Sequence, residues 1–251
     1  MSAARASGIE LSIAGGVAWI TLTRPRRGNR IDAAAAQALC DATEAVEFDE
    51  SVSVVVVRGN GKAFCLGIED GGPWERRHDF VAAVAGLTRP VIAAVDGEAA
   101  AEGCELALAC DLRLASRRAR FRLPQLGDGR LPSHGGTQRL PRIVGRMRAL
   151  DLLLSGRVVR AAEAAAMGLA SRVVATARFT DELGKEVENL RQRGPVALRL
   201  AKEAVLKSFD LTLDQGIRLE QDLYVLLQTT ADRAEGVRAF LEKRRPRFRG
   251  R

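Results

Sequence analysis

Two short runs, VSVVVV at Val52 to Val57 and VIAAV at Val91 to Val95, constrain the fold most, because they are almost wholly apolar with no alternation. A strand with one solvated face alternates apolar and polar residues. A run without alternation predicts strands buried on both faces, as in a parallel sheet covered by helices. The intervening segment Trp74 to Leu87 reads as a helix, and Ala33 to Phe48, Ala-rich and preceded by Asp32 as a helix cap, reads as another. Ile9 to Ile13 and Val17 to Thr23 flank Gly15-Gly16 and predict a β-hairpin. Leu112 to Ala115 and Ala119 to Leu123 are further short strands, followed by a Gly- and Pro-rich loop, Pro124 to Ser133, and a helix starting near His134 to Gln138. Strands alternating with helices place the chain in the α/β class.

Beyond about Phe179 the texture changes. Asp181 to Arg191, Pro195 to Ser208, Leu213 to Thr229 and Ala231 to Arg244 all read as helices. The chain therefore divides into a core over residues 1–178 and a helical region over 179–251, the latter a candidate oligomerisation element. A length of 251 residues suffices for one sizeable core.

No apolar run approaches the roughly 20 residues that a membrane-spanning helix needs, and the N-terminal MSAARASGIELSIAGG lacks the apolar stretch of a secretory signal. The expectation is a cytoplasmic protein. Cys40, Cys65, Cys104 and Cys110 form no CxxC pair and lie among small apolar residues, which predicts buried reduced thiols. With His78 and His134 as the two histidines, no zinc-ligand spacing arises, so no metal site is expected. The formal net charge of +8 fits an anionic small ligand, nucleic acid or a membrane surface, and equally an arginine-rich surface with no partner. Aromatic residues make up 4% of the chain, too few for a base-stacking platform, which weighs against nucleic acid.

Chemistry concentrates in two stretches. One is AAVDGEAAAEGCELALACD, Ala93 to Asp111, where an apolar run passes Gly97 and enters a helix-like segment with Glu105 among small apolar residues. The other is GNGKAFCLGIED, Gly59 to Asp70. With RPRRGN at Arg24 to Asn29, HGGTQRL at His134 to Leu140, SGR at Ser155 to Arg157 and the closing FLEKRRPRFRGR, these motifs occur in an order and spacing that resemble the crotonase superfamily, the enoyl-CoA hydratase/isomerase family. The likeness runs nearly end to end. It implies a spiral of ββα units with a helical C-terminal region that mediates trimers, often paired into hexamers. It also implies an acyl-coenzyme A thioester as substrate and no cofactor.

In that resemblance, backbone N–H groups stabilise a thioester oxyanion. The residue before Gly in A-F-C-x-G, Leu66, is expected to be one donor, and Glu102, at the start of the helix, the other. Relatives commonly have glycine in place of Glu102. Its carboxylate either points to solvent or its own helix terminus, or enters the site as an acid or base.

Glu105 maps onto the first of two glutamates with which hydratases activate water, and Gln125 onto the second. An amide neither gives nor takes a proton usefully, but it orients water or a substrate oxygen. Asp128, Ser133 and His134 are auxiliary candidates in a loop more polar than hydratases carry, with a turn residue and a structural histidine as the plainer readings. Ala63, Leu66, Gly67, Ile68, Glu69 and Glu102 are expected to line the coenzyme A path, with Arg24, Arg27 and Phe248 at its phosphate or adenine end. The leading function is an enoyl-CoA hydratase/isomerase with Glu105 as its acid–base group. The alternatives are isomerisation by a single base, hydrolysis of an acyl-CoA, or a catalytically weak scaffold that binds coenzyme A or, less readily, RNA.

Overall fold

The computed structural model describes residues 7–69 and 79–251. The hairpin forms as expected: β1 (Ile9–Ala14) pairs antiparallel with β2 (Val17–Leu22). Helix α1 (Ala33–Phe48) starts where Asp32 accepts a hydrogen bond from the Ala35 N–H at 2.8 Å, which satisfies a donor the first helical turn leaves over. Strands β3 (Val54–Gly59) and β4 (Ala63–Cys65) follow. Helix α2 (Phe80–Ala85) falls in the second half of the helix expected over Trp74 to Leu87; the first half of that expectation, including His78, lies outside the described residues.

Two strand–strand–helix units come next. Strands β5 (Val91–Val95) and β6 (Glu98–Ala100) lead into α3 (Glu102–Ala109), and β7 (Leu112–Ser116) and β8 (Arg120–Arg122) lead through a 3-10 turn to α4 (Gly136–Val144) and α5 (Arg146–Ser155). Then come β9 (Val159–Arg160), α6 (Ala161–Ala166) and β10 (Arg172–Val174). From β3 to β8, successive strands go alternately to two sheets. The larger sheet has the order β1-β2-β3-β5-β7-β10 and the smaller β4-β6-β8-β9. All pairings are parallel except β1 with β2 and β8 with β9, so the chain winds as a spiral of ββα units.

The central strand explains the unalternated valines. Val55 and Val57 enter a core between the sheets and α1 to α3, while Val54 and Val56 enter a second core with Ile92 and Leu114. That second face is sealed by Phe179, Leu183 and Val187 of α7 (Phe179–Arg191), so the first helix beyond residue 178 is part of the main packing. The remaining helices are α8 (Pro195–Lys207), α9 (Leu213–Gln228) and α10 (Ala231–Leu241). Lys202 of α8 pairs with Asp111 at 2.7 Å, and Asp111 also accepts from the Val91 N–H at 2.7 Å, which ties this helix to the sheet. The last residues fold back: Asp232 accepts from the N–H groups of Arg249 and Gly250, and the Phe248 ring lies against Gly194 and Gly236. Among the described residues no helix is long and apolar enough to cross a membrane. Cys65, Cys104 and Cys110 are buried free thiols, pushed up to about 12 by burial, and Cys40 is a half-buried one.

Asn29 closes the RPRRGN motif with a structural task. It is buried with φ 55°, and its Nδ2 donates to the carbonyls of Asn60 and Ala63 at 2.9 and 2.8 Å. Asn29→Ala loses both bonds and keeps a left-handed backbone that alanine resists. The expected destabilisation is about 2–4 kcal/mol, read as a lower denaturation midpoint at unchanged m-value.

Candidate active site

The α3 helix begins under backbone constraint. Ala101, before it, has φ 50° and ψ −125°, rarely adopted by a residue with a Cβ, and such conformations collect at functional sites. Gly103 packs so close to β4 that an added Cβ would lie 2.1 Å from the Cys65 carbonyl oxygen. This contact brings the first turn of α3 against the segment after β4, where Gly67 turns with φ 101°.

Residues 66–69 run beside residues 28–31. Leu66 N–H donates to the Gly28 carbonyl at 3.0 Å, Ile31 N–H to the Gly67 carbonyl at 3.0 Å, and Glu69 N–H to the Ile31 carbonyl at 2.9 Å. The Leu66 amide is therefore committed to the neighbouring segment and faces away from α3, contrary to the donor role expected for it. Past the left-handed Gly67 the chain presents the Ile68 N–H instead, which donates to Glu102 Oε2 at 3.1 Å. Arg30, unremarked in the sequence, donates to the Ile68 carbonyl at 3.0 Å and holds the segment from outside. The Glu102 N–H, at the first position of α3, is one of the donors that a helix leaves without an intrahelical acceptor.

Glu105 is fully buried. Its Oε1 accepts from the backbone N–H groups of His134 and Gly136, both at 2.8 Å, and its Oε2 accepts from Gln125 Nε2 at 3.1 Å. Burial pushes the Glu105 carboxyl above its ordinary value. The Gly136 and His134 amides and the nearby His134 ring oppose that shift, and the Glu102 carboxylate reinforces it. Such an acid holds its proton to higher pH than a free carboxyl does, which suits acid–base work.

Gly136, in the HGGTQRL motif, makes room for this clamp: a Cβ there would lie 3.0 Å from Glu105 Oε1. Gln125 is fully buried as well, and its Oε1 has no hydrogen-bond partner among the described residues. An unmet buried acceptor costs roughly 1–3 kcal/mol unless a donor reaches it.

Glu102 is buried at 2% exposure, and its Oε1 lies 3.5 Å from Arg130 Nη1. Of the two placements open to its side chain, the structure has the inward one. Asp128 stands 3.5 Å from Arg130 Nη2, on the outside of the loop. His134 reaches the site through its backbone; its ring contacts Ser133 Oγ at 3.0 Å and tilts against Phe80 with centroids 5.2 Å apart. Arg24 pairs with Asp32 at 2.5 Å and Arg27 with Glu69 at 3.3 Å, so both arginines have carboxylate partners within the chain. Ala63 begins β4 and accepts from Asn29, while Phe248 lies in the helical region.

Comparison with known proteins decides what this arrangement belongs to. The family model described as Enoyl-CoA hydratase/isomerase matches residues 12–251. The chain belongs to the enoyl-CoA hydratase/isomerase family, the crotonases. It is 40% identical to a probable enoyl-CoA hydratase of Rhizobium meliloti (strain 1021), over 94% of this chain and 96% of that protein. It is 37% identical to the 2,3-dehydroadipyl-CoA hydratase of Escherichia coli (strain K12), over 94% and 96% respectively. Its fold superposes on a crystal structure of enoyl-CoA hydratase from Bacillus anthracis with a TM-score of 0.92 and 35% identity, covering 97% of this chain and 100% of that one. As a crotonase, the protein is an enzyme of enoyl-CoA hydratase/isomerase type.

Proposed function

We propose that this crotonase acts on 2-enoyl thioesters of coenzyme A with Glu105 as its one proton-transfer carboxylate. The observation that carries this reading is the Glu105–Gln125 pair, in which the buried carboxylate is held by three donors and the amide keeps an acceptor oxygen free. In hydration, Glu105 takes a proton from water as its oxygen bonds to C3 of the enoyl group. Electron density moves to the thioester oxygen, and the protonated Glu105 delivers that proton to C2 of the resulting enolate, which restores the carboxylate. The Ile68 and Glu102 N–H groups are the oxyanion donors, each worth roughly 3–4 kcal/mol to the transition state. Gln125 Oε1 accepts one O–H of the water and aims it.

Isomerisation is the second reading, and the amide at Gln125 favours it. A single base suffices to remove a proton at C2 and return it at C4 through the same enolate. Hydrolysis of the thioester would use the same donors for a tetrahedral oxyanion.

Glu69 is assigned to the coenzyme A path and Arg24, Arg27 and Phe248 to its phosphate or adenine end, and a cytoplasmic setting without a further cofactor completes the reading. The enzyme is a homo-oligomer, trimer or hexamer. Support comes from the apolar side chains left exposed on and beside α8 to α10, including Leu213 at 79% and Phe240 at 82%.

Turnover of crotonyl-CoA and of a 3-enoyl-CoA by the purified enzyme tests the function. Loss of the enoyl absorbance identifies a hydratase, and its appearance from the 3-enoyl substrate an isomerase. Inactivity on both, with thioester binding retained, would leave the hydrolase or a catalytically weak binding homologue.

A further inference from the structure

The position where the thioester oxygen is expected already holds an oxygen. Glu102 Oε2 accepts the Ile68 N–H at 3.1 Å, and a Cβ built on Gly67 would lie 2.7 Å from that same atom, so the carboxylate fills the crease at the left-handed glycine. The side chain is 3% exposed. Its other oxygen has Arg130 Nη1 at 3.5 Å, a long contact to a guanidinium that is itself 43% exposed. Arg130 is carried by the loop after Gln125, where Gly129 has φ 68° and neither Gly127 nor Gly129 has a neighbour within reach of an added Cβ.

We infer that the Glu102 carboxylate is a built-in occupant of the oxyanion site, displaced by the incoming thioester carbonyl and received by Arg130. This rests on the acyl-CoA reading above and adds a specificity-determining role to it. A ligand whose carbonyl outcompetes a charged acceptor for the Ile68 N–H enters; one lacking a carbonyl there gains nothing by displacing it. Hydrogen bonds to charged acceptors are stronger than those to neutral carbonyls, so each productive binding event is weakened by the difference. Glycine at position 102 would leave the amide open.

The test is calorimetric binding of two probes to the intact enzyme. One is butyryl-CoA, a saturated thioester with nothing to hydrate; the other is S-butyl-CoA, a thioether without the carbonyl oxygen. Glu102→Gly is expected to bind butyryl-CoA about tenfold tighter than wild type, equivalent to about 1.4 kcal/mol, with S-butyl-CoA unchanged within about twofold. Glu102→Gln keeps the side-chain length and removes the charge. It carries the same test should the glycine variant fold poorly, with a gain of about threefold confined to the thioester.

Equal changes for both probes, or no gain for the thioester in either variant, would overturn the proposal. Binding of neither probe by wild type would remove the acyl-CoA reading together with it. Binding of both probes without selective gain would remove only the role of Glu102.

Discussion

Glu105→Gln is expected to lower turnover by about 10²–10⁴-fold while raising the melting temperature. The loss follows because the amide can neither take nor return a proton. The gain follows from the balance at the site. Burial pushes the Glu105 carboxyl up despite the opposing Gly136 and His134 amides, so the folded state on balance disfavours the charge. A glutamine keeps an acceptor oxygen for both amides. Its new N–H₂ meets Gln125, whose amide can turn to offer the oxygen that now lacks a partner.

A carboxyl with a raised folded value binds more protons folded than unfolded, so wild-type stability falls as pH rises from the ordinary carboxylate range through the raised value. The variant lacks that decline, and its advantage grows as pH rises through the raised value and then levels off. Each 1 kcal/mol of that advantage corresponds to about 2–4 °C in a chain of this size. Melting curves across pH, beside enoyl-CoA turnover, check both halves. A variant that melts below wild type at neutral pH would mean that the charge-assisted clamp outweighs burial.

Gln125→Glu is expected to raise hydration by about 10–100-fold and to cost about 1–3 kcal/mol of stability. The new carboxyl would stand where an amide nitrogen now lies 3.1 Å from Glu105 Oε2, with both groups fully buried. Two carboxylates so close share a proton, and one of them becomes the acid that protonates C2 while the other activates water. The signature is a bell-shaped pH profile of kcat/KM for crotonyl-CoA, against a single ascending limb in wild type, with a lower melting temperature that recovers as the pH falls. Unchanged or slower hydration in the variant would instead show that the glutamine suits a single-base reaction, and isomerisation would then take precedence.

These expectations separate stability from activity at neighbouring atoms. The orphan Gln125 oxygen, the Ala101 backbone and the desolvated Glu105 each lower stability, and all three lie at or against the site. Such a cluster is expected where binding supplies the missing partners.

The sequence by itself determined the α/β class and the chemical family. Unalternated valines need two covered faces, and the two cores on either side of β3 supply them. Asp32 announces α1 because a cap acts within one helical turn. The ordered motifs around Glu105 and Gln125 placed the chain in its family before any coordinates. These signals are local, or repeat with the period of one element, and so survive reading in one dimension.

What only the tertiary structure decided depends on segments meeting across the chain. The amide that faces α3 is Ile68 and not Leu66, because pairing with residues 28–31 occupies the Leu66 N–H and left-handed Gly67 turns the next one inward. The Glu102 side chain points in because the Ile68 amide, 34 residues away, receives it. His134 acts through its backbone because Glu105 needs donors at the start of α4 and the ring has Ser133 and Phe80. The direction of a single N–H or carboxylate is set by such long-range contacts, which no periodicity encodes.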